Sequence, residues 1–338
     1  MKIFKDLYNY RELLKTNITK DVGGKYKNSF LGVLWSFVNP LLQIAVYAFV
    51  FQIILKSNIE NYAVYLCCGL VPWQYFSSVV LRGAAVIIDN GNVIKKVYFP
   101  REILPISVVT SEGVNFLIST IIILGFVVFG GIGLSINILW YFLIVLIQYI
   151  VSIGVAFIVS SLTVYFRDLL HILGIVMQLL FYATPIVYAV DAVPSNFRWL
   201  MKLNPMSYLI TGYRDIFYNK TMPSFHGLFI AFIMGIILIT VGYLIFKKLE
   251  KFFLESRLCR KNGTIIKMEK AKKGYYMTDN WYLYKYNKDV RKVLQEYPNI
   301  YAFADWIDLC FVSENKIILQ TIAHEGMCFG SAELFRDI

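Results

Sequence analysis

Six long apolar stretches, at 31–55, 62–88, 103–129, 134–164, 169–190 and 228–246, are separated by short polar breaks. A helix that crosses a bilayer needs about 20 largely apolar residues, and each stretch meets or approaches that length. Pro72 and Arg82 interrupt the second stretch, and charges are otherwise sparse. The apolar/polar alternation of a membrane barrel is absent. The pattern predicts an all-α integral membrane protein with six transmembrane helices. Ahead of the first stretch, Ile3, Leu7, Tyr10 and Leu14 recur at helical spacing with Lys and Asp between them. This predicts an amphipathic helix lying in the membrane interface, with a plain solvated helix as the alternative. Between the fifth and sixth stretches, Asn204-Pro205 reads as a helix cap followed by proline at the first helical position. Met206, Leu209, Tyr213 and Ile216 then form one apolar stripe, and Phe197, Leu200 and Met201 a shorter one before it. Two short amphipathic helices on the membrane surface fit this pattern. The expected organisation is an interface segment over 1–30, a six-span domain over 31–248 and an extension over 249–338.

Composition agrees with the pattern. The chain has 338 residues, is 58% hydrophobic and 16% charged, and has a mean hydropathy of +0.59. Soluble domains are about 45–50% apolar and about 25% charged. Nineteen of the 33 Lys/Arg and ten of the 22 Asp/Glu lie in residues 1–248, which therefore carry +9 of the net +11. In a membrane domain that excess sets orientation rather than nucleic-acid binding. Lys and Arg gather before the first span, between the second and third, after the fourth (Arg167) and after the sixth (Lys247, Lys248, Lys251). Both termini are therefore expected in the cytoplasm. One loop dissents: residues 191–225 carry Arg198, Lys202, Arg214 and Lys220 yet fall outside by this count.

Residues 249–338 change character. A polybasic run over 257–273 is suited to anionic lipid. Aromatic runs at 281–286, a helical stretch near 290–296 and β-rich runs at 307–312 and 316–321 suggest a small soluble α/β module. The five cysteines show no CxxC or Cys/His ligand spacing and read as free thiols. His171, His226 and His324 are isolated from one another, so no metal site or catalytic triad is indicated. Gly23-Gly24-Lys25 lacks the upstream glycine and the following hydroxyl residue of a phosphate-binding loop. No cofactor is expected on this chain.

The segment 91–105, GNVIKKVYFPREILP, is a basic, aromatic, proline-closed island between two apolar runs. A short amphipathic helix passes through Val93, Ile94, Val97 and Tyr98, and Pro100 ends it. Lys95, Lys96 and Arg101 give it charge. Such an island is suited to being gripped by a partner on the positive side of the membrane. Two ionisable groups, Arg82 and Glu112, fall inside spans, where charge is costly. A structural ion pair, a pathway-lining role and snorkelling to the interface all remain open for them. Aromatic residues crowd the first span (Trp35, Phe37, Tyr47) and the fifth (Phe181, Tyr182, Tyr188). They read either as lipid-facing belt residues or as faces that stack on sugar rings.

The order of these features resembles the membrane-spanning permease subunits of type-2 ABC exporters for polysaccharides and polyol phosphates, which move O-antigens, capsules and teichoic acids. The matching segments are KYKNSFLGVLWSFVNPLL (25–42), CGLVPWQYFSSVVLRG (68–83), NVIKKVYFPREILPIS (92–107), TVYFRDL (163–169), LLFYATPIVY (179–188) and WLMKLNPMSYLITGYRDIF (199–217). The resemblance implies that Val93, Ile94, Lys95, Lys96, Val97, Tyr98, Phe99 and Arg101 belong to a coupling helix seated on a separate ATP-binding subunit. That subunit would hold the ATP and Mg. It further implies that Trp35, Phe37, Tyr47, Phe181, Tyr182 and Tyr188 line a glycan pathway. Leu200, Met206, Leu209, Tyr213, Ile216 and Phe217 would lie on helices gating its external mouth. Two permease copies, a lipid-linked glycopolymer and membrane lipid are the implied partners, in a bacterial plasma membrane. The chain departs from the family in continuing well past the KKLEKFF segment. Two other readings fit parts of the pattern. One is a permease of the same type for a drug or lipid. The other is a membrane glycosyltransferase, for which only Asp89, Glu102 and Asp168 offer carboxylates in cytoplasmic loops.

Overall fold

A computed structural model describes residues 7–24, 34–96, 99–259, 270–273, 282–284, 310–313, 316–322 and 327–330. The chain divides into two compact units, Met1–Asn90 with Phe99–Leu249, and Gly91–Tyr98 with Glu250–Ile338.

The first unit is helical. Its described elements are α1 (Arg11–Gly24), α2 (Trp35–Ala48, continued by a π-helical turn Phe49–Ile54), α3 (Tyr62–Asp89), and, beyond the island helix α4 (Gly91–Lys96) of the second unit, α5 (Ile103–Phe129), α6 (Tyr141–Tyr165), α7 (Leu169–Ala183), α8 (Arg198–Lys202), α9 (Pro205–Phe217) and α10 (Phe225–Cys259), which belongs to this unit as far as Leu249. Among the described residues, five helices are long and apolar enough to cross a membrane: 35–54, α3, α5, the run 136–165 and 225–249. They differ in what surrounds them. The apolar stretch of α3 is 78% buried within the chain, whereas that of α2 is 11% buried. Helix α3 is therefore the core, packed against α5, α6 and α9. It runs unbroken through both Pro72 and Arg82. Buried Gln148 of α6 donates to the Pro72 carbonyl (2.8 Å) and accepts from the Tyr213 hydroxyl (2.7 Å), tying α3, α6 and α9 at one point.

Helices α6 and α10 meet at glycines. A Cβ on Gly154 would lie 2.6 Å from the Ile239 backbone nitrogen, and one on Gly242 would lie 2.5 Å from the Gly154 carbonyl oxygen. Small residues let backbones approach this closely where lipid gives helices no hydrophobic reason to associate.

The fifth predicted span is corrected. Helix α7 has 15 residues and ends at Ala183, not near residue 190. At about 1.5 Å per residue it is roughly 22 Å long, short of a hydrocarbon core of about 30 Å. Pro185 is the cause, because proline biases the residue before it out of the helical region. Thr184 is accordingly extended, at φ −100° and ψ 139°. The N-terminal segment also gains detail. Leu7 and Leu14 pack against Ile106, Phe157 and Phe246 of the bundle, while Ile3 lies outside the described residues.

In the second unit, β1 (Lys270–Lys273) pairs antiparallel with β2 (Tyr282–Tyr284). Strands β3 (Cys310–Ser313), β4 (Lys316–Ile322) and β5 (Met327–Gly330) form an antiparallel sheet in that order. Both expected β-rich runs carry strands. The helical stretch expected near 290–296 lies outside the described residues.

Candidate functional site

Four helices of the first unit, α2, α3, α5 and α7, line an open cavity of about 790 Å³. Helical spacing decides what each contributes, since positions three and four apart share a face. Helix α2 supplies Trp35, Ser36, Asn39, Gln43 and Tyr47. Helix α5 supplies Glu112, Asn115, Phe116 and Ser119, and α7 supplies Gly174, Met177, Gln178, Phe181 and Tyr182. From α3 come Trp73, Gln74, Tyr75, Ser77 and Ser78. The rings form clusters: Tyr47 stacks on Phe181 (5.4 Å between centroids), Trp73 meets Phe181 edge-on (6.0 Å), and Tyr75 stacks on Phe116 (5.1 Å). Between them run amides, with Gln74 donating to Gln43 across α3 and α2 (2.8 Å). The wall thus combines flat apolar faces with side chains that both donate and accept hydrogen bonds.

Of the six aromatic residues expected on a pathway, Trp35, Tyr47, Phe181 and Tyr182 are on this wall. Phe37 and Tyr188 are not. Phe37 packs against the buried core, and the Tyr188 hydroxyl donates to the Tyr182 carbonyl (2.6 Å). Trp73, Tyr75 and Phe116 were missed. The signal for Phe116 is the three-and-four spacing of 112, 115, 116 and 119 on α5, which puts a carboxylate, an amide and a ring on one face; Trp73 and Tyr75, on α3, carry no such signal.

The two intramembrane charges are brought together. The Arg82 guanidinium donates to the Glu112 carboxylate and lies 3.6 Å from Asp21 of α1. Glu112 is buried and also on the cavity wall. A second ion pair joins buried Glu102, at the start of α5, to Lys247 of α10.

Helix α9 forms as the Asn204-Pro205 pattern predicts, with the Asn204 side chain accepting from the Met206 backbone (3.0 Å). Its stripe of Met206, Leu209, Tyr213, Ile216 and Phe217 is buried in the bundle. Leu200 is exposed on the separate short helix α8. Arg214, one of the dissenting charges of the loop, is not a surface residue. It is 4% exposed, and its guanidinium lies 3.6 Å from the Tyr65 ring centroid. It donates to the carbonyls of Pro185 and Ile186 (2.6 Å each) and to that of Tyr65 (3.4 Å). The Tyr62 hydroxyl donates to the Val187 carbonyl (2.8 Å) and the Tyr65 hydroxyl to that of Tyr188 (3.0 Å). Four successive carbonyls of the non-helical segment after α7 therefore each have a side-chain donor. Burial lifts the neighbouring Asp215 carboxyl above the usual carboxylate range, against a hydrogen bond from Asn219 (3.1 Å).

In the island, α4 spans Gly91–Lys96, with Val93 exposed and Ile94 half-buried. Val97 and Tyr98 lie outside the described residues. Phe99 is buried. Arg101 is half-buried where the chain turns into α5.

Known proteins are similar to this chain in sequence. An O-antigen export system permease protein RfbA of Klebsiella pneumoniae is 40% identical over 245 residues, 72% of this chain and 94% of the relative. An RfbA of the same description from Myxococcus xanthus is 33% identical over 258 residues, 76% of this chain and 99% of the relative. The model of the ABC-2 type transporter family matches residues 12–218, from α1 through the end of α9. With that match and these relatives, the chain belongs to the ABC-2 type transporter family.

Proposed function

We propose that this chain is the membrane permease of an exporter that moves a lipid-linked polysaccharide outward from the cytoplasmic side. The observation that carries the reading is the aromatic and amide wall of the 790 Å³ cavity, in a chain 40% identical to a protein named as an O-antigen export permease. Aromatic faces suit a long polymer because stacking is favourable yet tolerant of register, so the polymer slides without being held at one point. A separate ATP-binding subunit, holding ATP and Mg, drives the cycle through the island around α4. A second copy of the chain completes the conduit, and the buried stripe of α9 helps close its outer mouth at rest. The site is a conduit rather than a reaction centre, so this chain acts as a transport component.

In cells that make the polymer but lack this gene, the wild-type chain is expected to restore polymer to the surface. Without it, lipid-linked polymer accumulates inside. Equal surface polymer with and without the chain overturns the reading and favours a drug or lipid cargo.

With α7 and the segment after it counted as one pass, both termini lie in the cytoplasm of a bacterial plasma membrane. Cysteines placed at Asn58, Ser135 and Asn196 are then expected to react with a membrane-impermeant maleimide in intact cells, and those at Asn92 and Asn262 are not. Labelling of position 92 from outside overturns this orientation.

A further inference from the structure

The cavity wall holds more chemistry than sliding requires. Gln43 and Gln74 are hydrogen-bonded to each other at 2.8 Å, and Gln178 lies on α7 one turn before Phe181. Gln43 and Gln178 are both exposed. On the same three helices, the Phe181 ring contacts both the Tyr47 and the Trp73 rings. A primary amide offers two donors and an acceptor. A sugar hydroxyl is also both donor and acceptor, and the C–H face of a pyranose ring is apolar. Amides beside ring faces therefore match both surfaces of a sugar at once.

A phosphodiester has different needs. It only accepts hydrogen bonds, and proteins hold it with Arg, Lys or helix N-termini. Among the described lining residues the only charged side chain is Glu112, a carboxylate. Its sign is wrong for phosphate, and as an acceptor it suits a hydroxyl.

We infer that Gln43, Gln74 and Gln178, with the Tyr47–Phe181–Trp73 ring cluster, form a subsite that reads uncharged, hydroxyl-rich sugar rings, and that phosphodiester-linked polymers are poor cargo for this chain. The inference rests on the glycopolymer permease reading and narrows its substrate class. Gly174 marks the open part of the site: it lines the cavity, and a Cβ there would meet nothing within 4 Å. A larger side chain at 174 therefore fills the site without pressing on the fold, and it removes a helix-weakening glycine.

The test uses the full chain in nanodiscs of uncharged lipid and follows the fluorescence of Trp35 and Trp73 on the wall. The probes are linear pentasaccharides of glucose, galactose and mannose, and a glycerol-phosphate pentamer as the anionic counterpart. At least one neutral probe is expected to give a saturable change that Trp73→Phe diminishes, and the anionic pentamer none. The double variant Gln43→Leu/Gln74→Leu is expected to bind at least about tenfold more weakly. Gly174→Leu is expected to abolish binding with an unchanged or higher unfolding midpoint. Binding of the glycerol-phosphate pentamer as tight as that of the sugars overturns the inference. So do the lack of any saturable neutral probe and unweakened binding by both variants. Restoration of surface polymer in cells reports separately on the permease reading. A chain that restores export yet fails these binding tests overturns the inference alone, whereas one that restores nothing overturns the reading beneath it.

Discussion

Replacing Arg214 with methionine is expected to remove most of the folded chain from the membrane. Methionine keeps the length and apolar stem of the side chain but none of its donors. The carbonyls of Pro185 and Ile186 then lose their partners, in a segment where no helix supplies substitutes. A buried polar group left unsatisfied costs about 1–3 kcal/mol, so two cost roughly 2–6 kcal/mol, and contact with the Tyr65 ring is lost as well. That is a large part of a typical folding stability of about 5–15 kcal/mol. Arg214→Lys is expected to recover only part of the loss, because a single ammonium cannot reach two carbonyls in the fixed fork of a guanidinium. Tyr62→Phe removes one donor and is expected to do less harm than either. Unfolding midpoints of the full chain in detergent, read beside membrane abundance, rank the three. A methionine variant with a wild-type midpoint would show that the segment after α7 holds itself up by other means.

The second large effect concerns coupling. Reversing both charges of the island, Lys95→Glu with Lys96→Glu, is expected to bring export and transport-stimulated ATP hydrolysis to background while membrane abundance stays normal. Like charges brought face to face at an interface cost several kcal/mol, and about 3 kcal/mol already weakens docking more than a hundredfold. Normal abundance is expected because both residues lie in α4, in the second of the two compact units. The helices that form the bundle keep their sequence. Export that survives the double reversal removes the island from the mechanism.

The elements were largely legible in the sequence, and the facing of the site was not. Length and hydropathy placed α3 and α5 almost to the residue, because a lipid-exposed or buried helix needs nothing more specific than apolar character. They failed at α7. Ile186, Val187 and Tyr188 continue the apolar run, so hydropathy carries the span to residue 190, while Pro185 had already ended the helix. The proline was the better signal, since it acts on backbone geometry, which hydropathy does not register. Arg214 stands out as a dissenting charge in the count for a related reason. The count treats every Lys and Arg as solvated, and Arg214 is held by backbone carbonyls inside the protein. Four of the six aromatics expected on a pathway lie on the cavity wall because α2 and α7 are rich in them. Trp73, Tyr75 and Phe116 were missed because α3 and α5 are buried on several sides, and composition does not say which side borders a cavity.

The Arg214 contacts also set an order of events during synthesis. Arg214 follows Ile186 by 28 positions and Tyr65 by 149. At about 5–20 residues per second, Tyr65 is made roughly 7–30 s before the residue that closes over its ring and carbonyl. For the last few seconds of that wait, the Pro185–Ile186 carbonyls have been made but their guanidinium has not. Until Arg214 has itself emerged, these carbonyls lack their side-chain donor. The segment after α7 is therefore completed only when a single arginine, 28 positions later, leaves the ribosome and docks.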